Sequence, residues 1–299
     1  MRISERHRYN LSANRVETAR SDNAALLEEL STQKKLNKLS DNPVDVAQVL
    51  RERSRVERKN QFEKNIQYAQ GYLERTESVV TGIYDFLLRA KELSVAMAND
   101  TYGPQARRSA GREVKEIIEA ITSLANKTFG NRYIFGGFRT QTPPMSGDGK
   151  FLGDDGTLFL QVDDNQFKQI NLNARSIFEV NEEERQEGHF DLVAALDILY
   201  QGLVTDDVPM IQRAMDELDN HMDRISNYQS KIGAIFNSLK NSFQNNEVTR
   251  ELTTKSISEL EDADVFKSSS DFKRTESVLQ STLLASSKLL QPSLLNFLQ

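Results

Sequence analysis

The chain has no cysteine and no tryptophan. Without thiols there can be no disulfide, no thiolate nucleophile and no Cys-based zinc site. Only three histidines occur, His7, His189 and His221, and no two stand at metal-ligand spacing. No run of about 18 apolar residues exists, so no segment is built to insert into a membrane. The opening MRISERHRYNLSANRVE lacks the apolar stretch of a signal peptide. Positive charge is not in excess either: 38 Lys and Arg stand against 44 Asp and Glu, a net charge of −6. That argues against nucleic-acid binding, which rests on neutralising phosphates, and against a polybasic membrane anchor. No Walker loop, dinucleotide fingerprint, nucleophile elbow or zinc-binding HExxH is present. Neither catalytic nor metal residues can be named, and no cofactor is expected.

Hydrophobic residues make up 38% of the chain and mean hydropathy is −0.57. Such a composition buries narrow seams more readily than one thick core. Gly and Pro are concentrated between Gly130 and Gly156 and at a few sharp breaks, and the stretches between breaks read as helices. The first runs from about Asn14 to Asn37 and is thinly apolar. Before Leu26 it has hardly a stripe, and a helix without a packed face is marginal in water. Residues 1–23 are therefore expected to be disordered in the isolated chain. After Ser40-Asp41-Asn42-Pro43, where Asn42 can cap and Pro43 suits the first turn, a long helix runs to about Asn99. Its residues Phe62, Ile66, Ala69, Leu73, Thr76, Val80, Ile83, Leu87, Ala90, Ser94 and Met97 alternate steps of four and three, a coiled-coil-like seam. Ala110, Val114, Ile117, Ile121, Leu124 and Thr128 repeat the pattern after Pro104. The short link predicts an antiparallel neighbour. The same stepping returns from Ile211 through Leu218, Ile225 and Ile232 to Leu239 and Phe243.

Residues 131–189 differ. Leu158, Leu160 and Val162 alternate, the turn Asp163-Asp164-Asn165 follows, and Gln166 to Leu172 reads as a partner strand. The Gly- and Asp-rich runs 146–149 and 153–156 read as hairpin turns, since the register of a calcium loop is missing. His221, beside the seam residue Met222, reads as a surface histidine, and no acid–base partner is visible for it or for His189.

The fold expected is mainly α: an elongated antiparallel helical bundle with coiled-coil-like terminal helices and a small β-rich insertion. Its segments are 1–42, an N-terminal assembly helix and turn; 43–130 and 190–263, the helical rod; 131–189, the insertion; and 264–299, a C-terminal assembly helix. In that last helix Leu279, Leu283, Leu290, Leu294 and Phe297 share one stripe, while Leu284, Leu295 and Leu298 form a second, outward face. Leu26, Leu27 and Leu30 are too few to cover both. An exposed apolar chain end marks an interaction surface, so Leu26, Leu27, Leu30, Leu279, Leu283, Leu290, Leu294, Leu295, Phe297 and Leu298 are the candidate polymer interface.

The segment LSTQKKLNKLSDNP (30–43) resembles the N-terminal signature of bacterial flagellins and their junction proteins, with Gln33 in place of the usual Gly and Asn42 in place of the usual Asp. SISELEDAD (256–264) resembles the matching C-terminal turn, and SLLNFL (293–298) the closing helix. The start MRIS and the segment NRYIFGGFRTQTPPM (131–145) resemble the hook-associated type 3 family of hook–filament junction proteins. On that resemblance the motif residues are Ser40, Asp41, Asn42, Pro43, Tyr133, Phe135, Gly137, Thr142, Pro143 and Pro144. It implies an extracellular structural protein, exported through the flagellar type III apparatus without a cleaved signal peptide. Its partners would be copies of itself in a ring, the other hook-associated junction protein, flagellin and a flagellar export chaperone. A short flagellin of the filament itself is the alternative within the family. A cytosolic coiled-coil tether would explain the seams but not the terminal motifs.

Overall fold

The computed structural model describes residues 2–99 and 101–290, with side chains over 6–7, 9–99 and 101–288. The chain is mainly α, and it divides into two units, residues 58–248 and residues 1–57 with 249–299. In chain order the elements are α1 (Arg2–Thr32), α2 (Pro43–Met97), α3 (Pro104–Ala125), β1 (Thr128–Phe129), β2 (Arg132–Tyr133), β3 (Phe159–Asp163), β4 (Gln166–Gln169), α4 (Arg175–Phe178), α5 (Glu182–Glu187), α6 (Leu192–Thr205), α7 (Val208–Glu261) and α8 (Val265–Leu290).

In the 58–248 unit every seam residue of α2 from Phe62 to Met97 is buried. Burial follows from the stepping: one stripe per two turns faces the neighbouring helices and sheds water, the rest stays polar. Cross-helix pairs fix the directions. Leu124 packs over Gly82, Arg89 Nε donates to Glu113 Oε1 at 2.6 Å, and Arg107 Nε donates to the Met97 carbonyl at 2.9 Å, so α2 and α3 run antiparallel. Lys91 pairs with Asp219, and Gln229 Nε2 donates to Thr81 Oγ1 at 3.1 Å, so α2 and α7 do too. α6 packs on α3, where Leu203 and Val204 lie against Gly111. At the end of α2 Arg107 donates to the carbonyls of Met97 and of Asn99 just beyond the helix, while pairing with Asp206. α3 ends at Ala125, earlier than the stepping implied. Thr128 is an exposed strand residue, not part of the seam.

The insertion contains the expected hairpin β3–β4, with Leu160 opposite Lys168 and Gln161 opposite Phe167. Val162 is buried, and Leu158 and Leu160 are half-buried. A smaller pair, β1–β2, precedes it, and two short helices, α4 and α5, follow. Run 146–149 is a turn, closed by Ser146 N–H donating to Lys150 O at 2.9 Å between the bridge residues Met145 and Phe151. Run 153–156 is not a hairpin turn. There Asp154 Oδ1 accepts the N–H groups of Phe138 (2.6 Å) and Gly156 (3.0 Å), clamping one loop to another.

In the second unit α1 lies antiparallel to α8. Ser12 Oγ meets Ser286 Oγ at 2.7 Å, Asn23 Nδ2 donates to Thr275 Oγ1 at 3.3 Å, and Ser268 Oγ donates to Glu29 Oε1 at 2.6 Å. The expected start at Asn14 is corrected, because the helix begins at Arg2. Its missing apolar stripe is replaced by polar side chains from α8, which periodicity in one segment cannot reveal. α1 also stops at Thr32, short of Asn37. Gln33 follows with φ +57°, a left-handed backbone that costs a residue with a Cβ about 1–2 kcal/mol. Gln33→Gly is expected to stabilise this turn by about 1 kcal/mol. Since Ala263 N–H donates to Gln33 O at 2.9 Å, hydrogen exchange of the Ala263 amide reads the effect, and an unchanged or faster rate would count against strain at Gln33.

Candidate assembly surface

The turn between α1 and α2 is built by its own side chains. Asp41 Oδ2 accepts the N–H groups of Asn37 (2.9 Å) and Lys38 (2.7 Å), and these bonds hold its carboxyl below its ordinary pKa. Asn42 Oδ1 caps α2 by accepting from Val44 and Asp45, and Pro43 fills the first helical position, where no donor is needed. Ser40 is exposed beside them. The turn between α7 and α8 docks on this one. Lys34 bridges Asp262, and Lys35 N–H donates to Glu261 O at 2.8 Å. The Glu261 carboxylate is buried, accepts from Arg53 Nη2 at both oxygens (2.6 and 2.7 Å) and pairs with Lys34 at 2.6 Å. Burial alone would raise its pKa, but Lys34 and Arg53 outweigh burial and lower it. The sequence motifs marked both turns. They include Glu261 but not its partner Arg53, since the pair spans 208 positions and leaves no local spacing to read.

On the α1–α8 pair the candidate interface residues divide. Leu26, Leu30 and Leu279 are half-buried between the helices, while Leu27 and Leu283 are exposed. Leu11, Val278 and Leu284 add to the exposed apolar surface. A groove of about 1030 Å³ runs along the pair, lined by Leu11, Ala19, Val278 and Ala285 among small polar residues. Leu290, Leu294, Leu295, Phe297 and Leu298 fall outside the described side chains.

The motif 131–145 serves the insertion's own core. Phe135 is buried and meets Phe178 edge-on at 5.5 Å, and Phe178 stacks on Phe151 at 5.6 Å. Gly137 has φ +63°, and a Cβ there would fall 1.9 Å from Asp154 Oδ1, so only glycine fits. Pro144 is buried and its carbonyl accepts from Leu152 N–H at 2.7 Å. Tyr133 is half-buried, its N–H donating to Thr140 O at 2.9 Å, while Thr142 and Pro143 are exposed.

His221 is not on the surface, as the sequence reading had it. It is buried, and its Nε2 lies 2.9 Å from the Phe190 carbonyl. Burial depresses its pKa despite that bond, disfavouring the charged ring. His189 does have a partner, Glu217 Oε1 at 2.9 Å from Nδ1. Lys59, buried as well, pairs with Asp163 and donates to Asn246 at 3.2 Å, tying the β3–β4 turn to α2 and α7. Among the described residues no group of three or more His, Asp or Glu is placed to hold a metal ion. No helix there is long and apolar enough to cross a membrane.

The sequence profile of the bacterial flagellin N-terminal helical region matches residues 3–140, and that of the bacterial flagellin C-terminal helical region matches residues 215–298. The chain is 25% identical to flagellar hook-associated protein 3 of Escherichia coli (strain K12) over 258 residues, 80% of this chain and 81% of that protein. It is 24% identical to a flagellin of Halalkalibacterium halodurans, over 86% of this chain and 84% of the other. The flagellar junction protein FlgL from Legionella pneumophila shares the fold, with a TM-score of 0.60 at 14% identity over 72% of this chain and all of that one. Long antiparallel helices, a paired set of terminal helices and an insertion held by its own core define a helical structural protein. The chain belongs to the bacterial flagellin family and is a structural component of the flagellum.

Proposed function

We propose that this chain forms a junction layer between hook and filament, a ring of copies built through its terminal helices. The observation that carries the reading is its similarity, over four-fifths of both chains, to a flagellar hook-associated protein 3. The apolar residues exposed on α1 and α8 supply the surface for such contacts. In this reading Leu26, Leu27, Leu30, Leu279 and Leu283, together with the apolar positions from Leu290 to Leu298, form the polymer interface. Neighbouring layers are the other hook-associated junction protein and flagellin. The chain leaves the cell through the flagellar type III apparatus, with a chaperone shielding its C-terminal helix until then. It works as a part of the structure, without catalysis, cofactor, nucleic acid or membrane insertion.

The similar identity to a flagellin supports a second reading, a short subunit of the filament itself. Immunogold labelling of intact flagella separates the two. Label confined to the hook–filament boundary is expected, and label along the whole filament would replace the junction reading with the flagellin one.

A further inference from the structure

Phe266 is the second residue of α8, and its side chain is 92% exposed. Its backbone is nevertheless held firmly. Asp264 Oδ1 accepts the N–H groups of Phe266 and Lys267, both at 3.1 Å, and Ser268 N–H donates to Asp264 O at 2.8 Å. The cap fixes the first turn of the helix and so presents the ring to solvent at a set place, with exposed Val265 beside it. A large aromatic on a rigid helix start, surrounded by water, is placed to enter something.

The same unit carries a matching hollow. A cavity of about 440 Å³ lies between the 34–39 turn and the first turns of α2, walled by Leu36, Leu39, Val46, Val49 and Leu50. Val49 is buried at its base, and Leu39, 72% exposed, stands at its edge. Its volume takes a phenyl ring with room beside it. The net charges around the two features are opposite. Lys34, Lys38 and Arg53 line the hollow with one carboxylate, Glu261, whereas Asp262 and Asp264 precede the ring along the chain and Lys267 follows it. Lys34 and Lys38 pair with Glu261 and Glu28 yet keep 41% and 61% of their side chains exposed, and an ammonium has three donors to share.

A ring so exposed does not occupy its own chain's hollow. We propose that Phe266 of one copy seats in the Leu39–Val46–Leu50 hollow of the next, joining copies head to tail. A contact in which each copy offers a knob on one face and a socket on another is heterologous, and it propagates as a ring or a helical layer. One aromatic buries about 150–250 Å², well under the roughly 800 Å² per partner of a stable complex. The contact therefore forms only where copies are already held side by side, in the assembled layer. It rests on the polymerising reading of the terminal helices and adds to it the residue pair that sets neighbour to neighbour.

The absence of cysteine makes the test specific. Lys267→Cys and Ser40→Cys, introduced together in the full-length chain, flank the knob and the hollow, and exposed Ser40 is not among the residues that line the hollow. Flagella assembled with this variant as the sole copy are treated with a short bismaleimide. A ladder of dimers, trimers and higher multiples is expected, with neither single variant extending beyond a dimer. Adding Phe266→Ala should cut the ladder at least tenfold and leave melting of the purified chain unchanged. Monomer alone, in flagella where immunogold label shows the chain at the hook–filament boundary, would overturn the contact and leave the junction reading standing. A ladder unaffected by Phe266→Ala, or adducts with a different protein, would also overturn it. Label along the filament with a Phe266-dependent ladder would overturn the junction reading and uphold the contact.

Discussion

Leu87→Ala is expected to destabilise the chain by about 2–5 kcal/mol, the cost of removing buried methyl groups and leaving a cavity that the surroundings only partly fill. Leu87 is fully buried in the middle of the α2 seam, and Ile83 and Ala90, on either side of it along that seam, are fully buried too. At about 2–4 °C per kcal/mol for a unit of this size, the melting midpoint should fall by about 4–20 °C. The adjacent Leu88, about 100° further round the helix and 41% exposed, is the control. Leu88→Ala should change stability by about 0.5 kcal/mol or less. Equal melting of the two variants would mean that the seam does not carry the stability of the 58–248 unit.

The seams were legible because their signal is local. A residue every three or four positions on one helix sheds water whatever the partner, so Phe62 to Met97 and Ile211 to Leu239 could be read before any partner was known. The cap at Asn42 and Pro43 and the break at Pro104 are local in the same way. What stayed hidden depends on residues distant in the chain. The pairs Ser12–Ser286 and Asn23–Thr275 give α1 a partner that its thin apolar pattern does not announce. His221 lies beside a seam residue at a position that reads as polar. It is buried, and its ring meets the Phe190 carbonyl, 31 positions away in the chain. Arg107, in another element, caps the Met97 carbonyl from ten residues further on. Asp154, set in a run that resembled a turn, holds Phe138 and forces glycine at position 137.

The candidate interface was legible only in part, for a related reason. Excess apolar content at a chain end is visible in composition, but its division into paired and outward faces depends on how α8 lies against α1. Leu283 belongs by its period to the inward stripe with Leu279, yet it is exposed while Leu279 is half-buried. The α1–α8 contact is held at Ser12, Asn23 and Glu29 by polar side chains, so it does not need every leucine on that stripe.

Leu284→Asp is accordingly expected to leave the isolated chain intact and to abolish its assembly. Leu284 is 65% exposed on α8, and a carboxylate there stays hydrated, so purified variant and wild type should melt alike. In an assembled layer the same position would be covered by a neighbour. Burying a leucine contributes about 1.5–3 kcal/mol, and the variant would lose that and must also strip water from a charge, which costs more still unless a partner is supplied. The loss recurs at every copy around the layer, so it acts on the assembly many times over. Cells carrying the variant should export the chain, fail to seat a filament, shed flagellin into the medium and lose motility. Leu295→Asp, on the same outward face by its helical period, should behave alike. Filaments of wild-type length in the Leu284→Asp strain would show that this face does not meet a neighbour. A collapsed melting transition in the purified variant would instead place α8 within the stability of the isolated chain.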